Sequence, residues 1–226
     1  MRVVLLEPPA WEGRSPAVPL AKALGVPHVR FGDLLRAHLR RGTDLGIRSA
    51  AIFNAGRPFP DAMTTEVVRD HLDRAVPTDF LLDGHPRGAA QALALDALLE
   101  ERGLPVDAVL RLHLPEEELE RRIRRQTARR VCRGDTARPA EVTGDAPVRD
   151  SACQECGGEL HRRDDDTDDR VRGRYARYEA LETPVVRHYA GRDLLVTVDA
   201  VGPVDDIVTR AVAALRTAGL GTGSVR

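Results

Sequence analysis

Lysine is almost missing from this chain. Of its 34 basic residues only Lys22 is a lysine, and the rest are arginines. Nearly every phosphate contact the protein makes must therefore come from a guanidinium, which binds phosphate in a planar, bidentate way. A surplus of charge is missing too. The formal net charge is −1, so no global field draws the chain to nucleic acid or to an anionic membrane, and neither is expected as a partner. No apolar run approaches the roughly 20 residues that span a bilayer. Met1-Arg2 is followed by only a strand-length apolar run before Glu7 and two prolines, so no signal peptide is expected. Cysteine is scarce and odd in number, three in all, with two in Cys153-Gln154-Glu155-Cys156. That argues for metal binding or for thiols in a reducing cytoplasm rather than for disulfides.

What is present is a strand–helix rhythm in 226 residues, enough for a full core in one domain with a small inserted lobe. Val3–Leu6 reads as a strand and residues 16–24 as a helix stopped by Gly25. Pro27-His28-Val29 is extended, and a helix runs from Leu34 to about Arg41 with Leu34, Leu35 and Leu39 on one face. Further helices run from Gly42–Gly46 through Phe53 and from Pro60-Asp61 to Ala75. Phe80-Leu81-Leu82 is a buried strand ending at Asp83-Gly84, residues 89–102 a helix, Ala108–Leu114 a strand, and Pro115 to about Gln126 a helix. A long helix over 166–190, a strand over Leu194–Val198 and a helix over 203–217 complete the series. Such alternation predicts a parallel sheet covered on both faces, with ligands beyond the carboxyl ends of the strands. Glu7, Asp83 and the residues after Leu114 are placed there.

The stretch Val3 to Ser15 has the architecture of a phosphate loop without its chemistry. A strand leads through a loop to a helix start, with Ser15 as cap and Pro16 at the first helical position. Backbone N–H groups in that arrangement hold phosphates. The loop wants glycines and a Lys, yet Glu7, Trp11 and Glu12 occupy it. Read one residue out of register, Gly13-Arg14-Ser15 imitates Gly-Lys-Ser, with Arg14 as the cation.

Residues 131–161 break the rhythm and carry all three cysteines. Cys132-Arg133-Gly134-Asp135, then 17 residues, then Cys153-Gln154-Glu155-Cys156 has the shape of two zinc knuckles. Cys132, Asp135, Cys153 and Cys156 would hold a structural Zn²⁺ with no open position for chemistry.

Several segments together resemble the adenylate kinase (nucleoside monophosphate kinase) family over residues 1–217. They are Gly32-Asp33-Leu34-Leu35-Arg36, Ala55-Gly56-Arg57, Phe80-Leu81-Leu82-Asp83-Gly84-His85-Pro86-Arg87 with Gln91, and Arg129-Arg130-Val131-Cys132. Arg163-Asp164-Asp165-Asp166, Val171-Arg172-Gly173-Arg174 and Leu195-Val196-Thr197-Val198-Asp199 follow in order. The resemblance implies an α/β, P-loop-kinase-like fold. Its parallel five-stranded sheet has helices on both faces, a helical monophosphate-binding lobe and an inserted zinc-binding lid. Residues 1–30, 60–128 and 170–217 would form the core, 31–59 the monophosphate lobe, 129–169 the lid and 218–226 a disordered tail.

The resemblance also implies roles. Arg36 and Arg87 would hold the phosphate of a nucleoside monophosphate, AMP, and Gly84 and Gln91 would accept and read its base. Asp83 would order Mg²⁺ through water. Arg122, Arg129, Arg163 and Arg174 would close over the transferring phosphoryl group, a reaction that needs positioning and charge neutralisation. A monomer is the family's usual state.

The departures cluster on the donor-phosphate side. Glu7, Ala10, Glu12, Gly13 and Arg14 replace Gly, Gly, Gly, Lys and Gly of the family loop, while Ser15 stands for Thr. Phe31 replaces a Thr that touches the base, His85 a Phe, and Gly88 a Thr. Glu7, Glu12, Asp83 and the nearby His85 can serve acid–base work, bind Mg²⁺ or stabilise an oxocarbenium ion. Three readings follow: hydrolysis of the N-glycosidic or phosphate bond of a nucleoside monophosphate, a slow adenylate kinase using Arg14, and a non-catalytic nucleotide-binding protein.

Overall fold

The computed structural model describes residues 1–9, 15–54, 59–75, 78–132, 139–140, 153, 156–162 and 166–220. In chain order the elements begin with β1 (Arg2–Leu6), α1 (Ala17–Leu24), β2 (His28–Arg30), α2 (Phe31–Arg41), α3 (Asp44–Asn54) and α4 (Asp61–Ala75). Then come β3 (Phe80–Asp83), α5 (Ala89–Glu100), β4 (Ala108–His113), α6 (Glu116–Ala128), β5 (Arg130–Cys132), β6 (Pro139–Ala140) and β7 (Leu160–His161). The series closes with α7 (Asp168–Ala190), β8 (Leu195–Asp199) and α8 (Val204–Thr217). The chain divides into two compact units, Met1–His113 with Ala180–Arg226, and Leu114–Glu179.

The first unit is built on a parallel sheet of order β2-β3-β1-β4-β8. Its strands are apolar without alternation because both faces are covered. Val4, Leu6, Phe80, Leu82 and Val109 pack with Leu72, Leu95, Leu99, Val185 and Tyr189 from α4, α5 and α7. Val3, Leu5, Leu81 and Leu110 alternate with them and are equally buried. That opposite face is served by α1 and α8, whose Leu20, Leu24, Ile207 and Leu215 are buried.

Local chemistry explains the helix ends. Pro16 has helical angles, φ −68° and ψ −8°, and Ser15 Oγ accepts the Ala17 amide at 3.1 Å, as expected of a serine cap. Gly25 closes α1 in the left-handed region, φ +68°, where a side chain would be strained. α2 starts at Phe31, three residues before the expected Leu34. Its buried position belongs to His38 and not to Leu39, which is 36% exposed. The reason is spacing: His38 lies four residues after Leu34, on the core-facing stripe. Its ring is partnered, Nδ1 2.9 Å from Thr43 Oγ1 and Nε2 3.3 Å from Asp70.

In the second unit β6, β5 and β7 form a small antiparallel sheet. Ile123, Val171 and Tyr175 make its apolar cluster with Leu114 and Leu119. Among the described residues no helix is long and apolar enough to cross a membrane.

Among the described glycines the tightest packing is at the α2–α3 corner. A Cβ on Gly46 would lie 2.2 Å from the His38 carbonyl oxygen and 2.6 Å from its carbon. Backbone cannot give way as a side-chain tip does, so Gly46→Ala should cost about 2 kcal/mol, lowering the thermal midpoint by roughly 4–8 °C. Gly173, exposed in α7 with nothing within 4 Å of its Cβ position, should show the opposite sign. Gly173→Ala is expected to raise the midpoint by roughly 2–4 °C. Thermal unfolding of the two variants beside the native protein checks both signs.

Candidate functional site

The carboxyl ends of β1, β2 and β3 bring together the groups singled out in the sequence. Asp83 ends β3 in register with Leu5 of β1 and with Arg30 of β2. Its carboxylate is 4% exposed, and Oδ2 lies 3.2 Å from His28 Nε2 and 3.5 Å from Arg30 Nε. Glu7, directly after β1 and half-buried, accepts a 2.7 Å hydrogen bond from Ser15 Oγ. Ser15 Oγ in turn accepts the Ala17 amide. Glu7 is thus tied to the amino end of α1, where a helix attracts an anion. Burial and the Asp83 charge push its carboxyl up to about 7, against the opposing pull of Ser15, Arg30 and His28. A carboxyl poised there is half protonated at neutral pH, as a general acid or base should be. Glu7 Oε atoms, Ser15 Oγ and Asp83 are also the hard oxygen donors that suit Mg²⁺. Glu12 and Arg14 lie outside the described residues.

A second group surrounds the turn after β3. Gly84 has φ +80°, a conformation that L side chains rarely adopt. A Cβ there would meet Phe31 Cβ and an Arg87 guanidinium nitrogen, each at 3.7 Å. Phe31 stacks on the His85 ring, centroids 5.6 Å apart and planes 22° from parallel. The His85–Pro86 peptide is cis. Arg87 donates through Nε to the Gly84 carbonyl at 3.1 Å. Its amide donates to Gln91 Oε1 at 2.8 Å, and Gln91 Nε2 donates to Asp61 Oδ1 at 2.8 Å. Arg36 rests on Asp33 and folds back over Gly32, whose Cβ position is 3.3 Å from its guanidinium.

His85 does not behave as its sequence position suggested. The sequence counts it among the groups for acid–base work, but it is 1% exposed. Burial, helped by the Arg87 charge, holds the imidazole down to about 4. The ring is therefore neutral, a wall of the turn rather than a proton carrier. Its Nε2 has no hydrogen-bond partner among the described residues.

The second unit holds the remaining arginines. Arg122 is buried and paired with Glu118 at 2.8 Å, and Arg174 lies 3.5 Å from Asp166. Arg129 follows α6, its Nε buried without a partner among the described residues. Arg163 lies outside the described residues. Cys132, Cys153 and Cys156 converge there, their sulfurs all within 4.8 Å of one another. Cys132 Sγ and Cys156 Sγ are 3.4 Å apart. Gly158 makes room for them, since a Cβ there would lie 3.2 and 3.3 Å from the two sulfurs. Three converging thiols suit a soft tetrahedral ion such as Zn²⁺. The fourth expected ligand, Asp135, lies outside the described residues.

Comparison with known proteins agrees with this architecture. The family model described as adenylate kinase matches residues 5–194. The chain is 41% identical to the adenylate kinase of Streptomyces griseus subsp. griseus over 217 residues, covering 96% of this chain and 98% of that protein. It is also 41% identical to that of Streptomyces coelicolor, covering 96% of this chain and 99% of the relative. The Methanothrix thermoacetophila adenylate kinase is 34% identical, with 92% and 94% covered. The chain belongs to the adenylate kinase family.

Sequence reasoning passed over His28, Arg30 and Asp61. Arg30 is the register partner of Asp83 across β2 and β3, so strand order would have revealed it. Asp61 was read only as a helix start.

Glu7 carries a pH signature. Its carboxyl sits near 4.5 when unfolded and near 7 when folded. Ionising it therefore costs the folded state nothing below the lower value, increasingly between the two, and fully above the upper. Glu7→Gln should gain thermal stability over the native protein as pH rises from 5 to 8. Melting curves that differ by the same amount at both pH values would show Glu7 to be an ordinary surface carboxylate.

Proposed function

We propose that the protein binds a nucleoside monophosphate, AMP, through Arg36 and Arg87 and acts on it without a triphosphate donor. The observation behind this reading is the Glu7 carboxylate hydrogen-bonded to Ser15 at the amino end of α1. That is the anion position of a phosphate loop, and the chain fills it with its own carboxylate beside Asp83. A triphosphate would have to displace a like charge there.

The reaction is hydrolysis. Arg87 touches the Gly84 carbonyl, next to Asp83, which supports cleavage of a phosphate ester held by that guanidinium. Glu7 protonates the leaving sugar oxygen as water attacks phosphorus, and Asp83, whose carboxylate lies 3.2 Å from His28 Nε2 and 3.5 Å from Arg30 Nε, would help hold Mg²⁺, which would neutralise charge on the phosphate. The guanidinium groups neutralise the phosphate oxygens. The protein works as a monomer in the cytoplasm, where its thiols stay reduced.

A second reading is favoured by kinship: relatives 41% identical along nearly their whole length are named adenylate kinase. In it the protein converts ATP and AMP to two ADP, with Arg14 as the loop cation. One chromatographic experiment separates the two. AMP, ADP and ATP are supplied singly and in pairs. Release of phosphate from AMP alone, lost in Glu7→Gln, is the expected outcome, and release of free adenine would move the cleavage to the glycosidic bond. ADP formed only from ATP with AMP, and lost in Arg14→Ala, would establish the kinase and sink the hydrolase. AMP binding with no new species would leave a non-catalytic nucleotide-binding protein.

Zinc on Cys132, Cys153, Cys156 and Asp135 holds the second unit together. The purified protein should carry about one zinc per chain by elemental analysis. Cys132→Ser should lose it and melt earlier, because a small lobe with few buried apolar residues depends on its metal. A native protein without zinc, melting identically with and without chelator, would refute the site.

A further inference from the structure

The one lysine of the chain, Lys22, lies in the last turn of α1, at the opposite end of that helix from Ser15. The carboxyl end of the sheet must take its cations from arginine. β2 finishes there on Arg30, the register partner of Asp83, and parallel sheets receive ligands beyond such strand ends. The Arg30 side chain is 55% exposed and meets Asp83 through Nε, 3.5 Å from Oδ2. Neither of its terminal nitrogens donates a hydrogen bond to a described residue. A guanidinium that meets an acid through Nε keeps donors on its terminal nitrogens, in a planar fork that fits two phosphate oxygens. The charge of Arg30 also reaches the acids on either side. A hydrogen bond from Arg36 holds the Asp33 carboxyl below the usual carboxylate range, and the charges of Arg30 and His28 add to it. Burial and Asp83 raise the Glu7 carboxyl, and Arg30 pulls against that rise. Arg30 thus acts both on the strand-end acids and on the acid that carries Arg36.

We infer that Arg30 is a third phosphate-binding arginine of the monophosphate site, and that it bridges, with Nε on Asp83 and the terminal nitrogens on the phosphate oxygens. The inference rests on the monophosphate site proposed above. A phosphate brought beside Glu7 and Asp83 meets two like charges. A guanidinium set between acid and phosphate gives each of them its own charge-assisted hydrogen bonds and removes that conflict. An ammonium group cannot do the same, because it is a point charge without a fixed fork. Arg36 and Arg87 come from α2 and from the turn after β3, and Arg30 adds a cation from β2.

Calorimetric titration of the full chain with AMP, adenosine and ATP tests this. Arg30→Ala should bind AMP about tenfold more weakly than the native protein, the loss expected for hydrogen bonds to a charged group. Adenosine, which has no phosphate, should bind both proteins alike. Arg30→Lys keeps the charge and loses the fork, and should still bind AMP about fivefold more weakly than the native protein. If Arg30→Ala does not fold, Arg30→Gln removes the charge with a longer side chain and should show the same loss. AMP affinity unchanged in Arg30→Ala, or fully restored by Arg30→Lys, would overturn the bridge and leave the monophosphate site standing. So would equal weakening of AMP and adenosine, which marks a structural role, or a loss confined to ATP, which puts Arg30 on a donor phosphate. A native protein that does not bind AMP would overturn the site itself and the bridge with it.

Discussion

Glu7 and Asp83 end neighbouring parallel strands, and burying two carboxylates side by side must be compensated. The chain does so from three directions. β2 ends on Arg30, the register partner of Asp83, and begins with His28, whose ring reaches the same carboxylate. The start of α1 supplies Ser15, whose hydroxyl serves Glu7 while its oxygen takes the Ala17 amide. Compensation is incomplete for Glu7, which is why its carboxyl sits near 7. The carboxyl ends of these strands thus carry a charge cluster of the protein's own.

The turn after β3 depends on the same sheet end. Gly84 follows Asp83 at φ +80°, and its missing side chain lets Arg87 and Phe31 approach from different elements. His85 goes inward and loses its charge to burial. One glycine thus brings Arg87 and Phe31 together, next to the buried carboxylate of Asp83.

The second unit obeys a different constraint. Its apolar cluster is small, and the three thiols gather where Gly158 leaves space for sulfur. Three thiols so placed could hold a metal ion. Two of its arginines are paired with acids of the same unit, Arg122 with Glu118 and Arg174 with Asp166.

The sequence by itself determined the fold class, the order of strands and helices, the cap at Ser15 and the cysteine cluster. These are written in local periodicity, cap chemistry and short spacing, which need no knowledge of distant contacts. It also marked Glu7 and Asp83 as strand-end carboxylates. It misjudged Leu39, because a leucine on the edge of a stripe looks the same as one in its middle, and it misjudged His85, because burial is not legible from a neighbour list. Only the tertiary structure decided that Arg30 and His28 lie against Asp83, that Asp61 takes up Gln91, and that Phe31 lies on His85. Each joins residues from different elements, some far apart in the chain, and depends on sheet register and helix docking. Those long-range arrangements set the pKa of Glu7 and bring Phe31 and Arg87 to the same glycine.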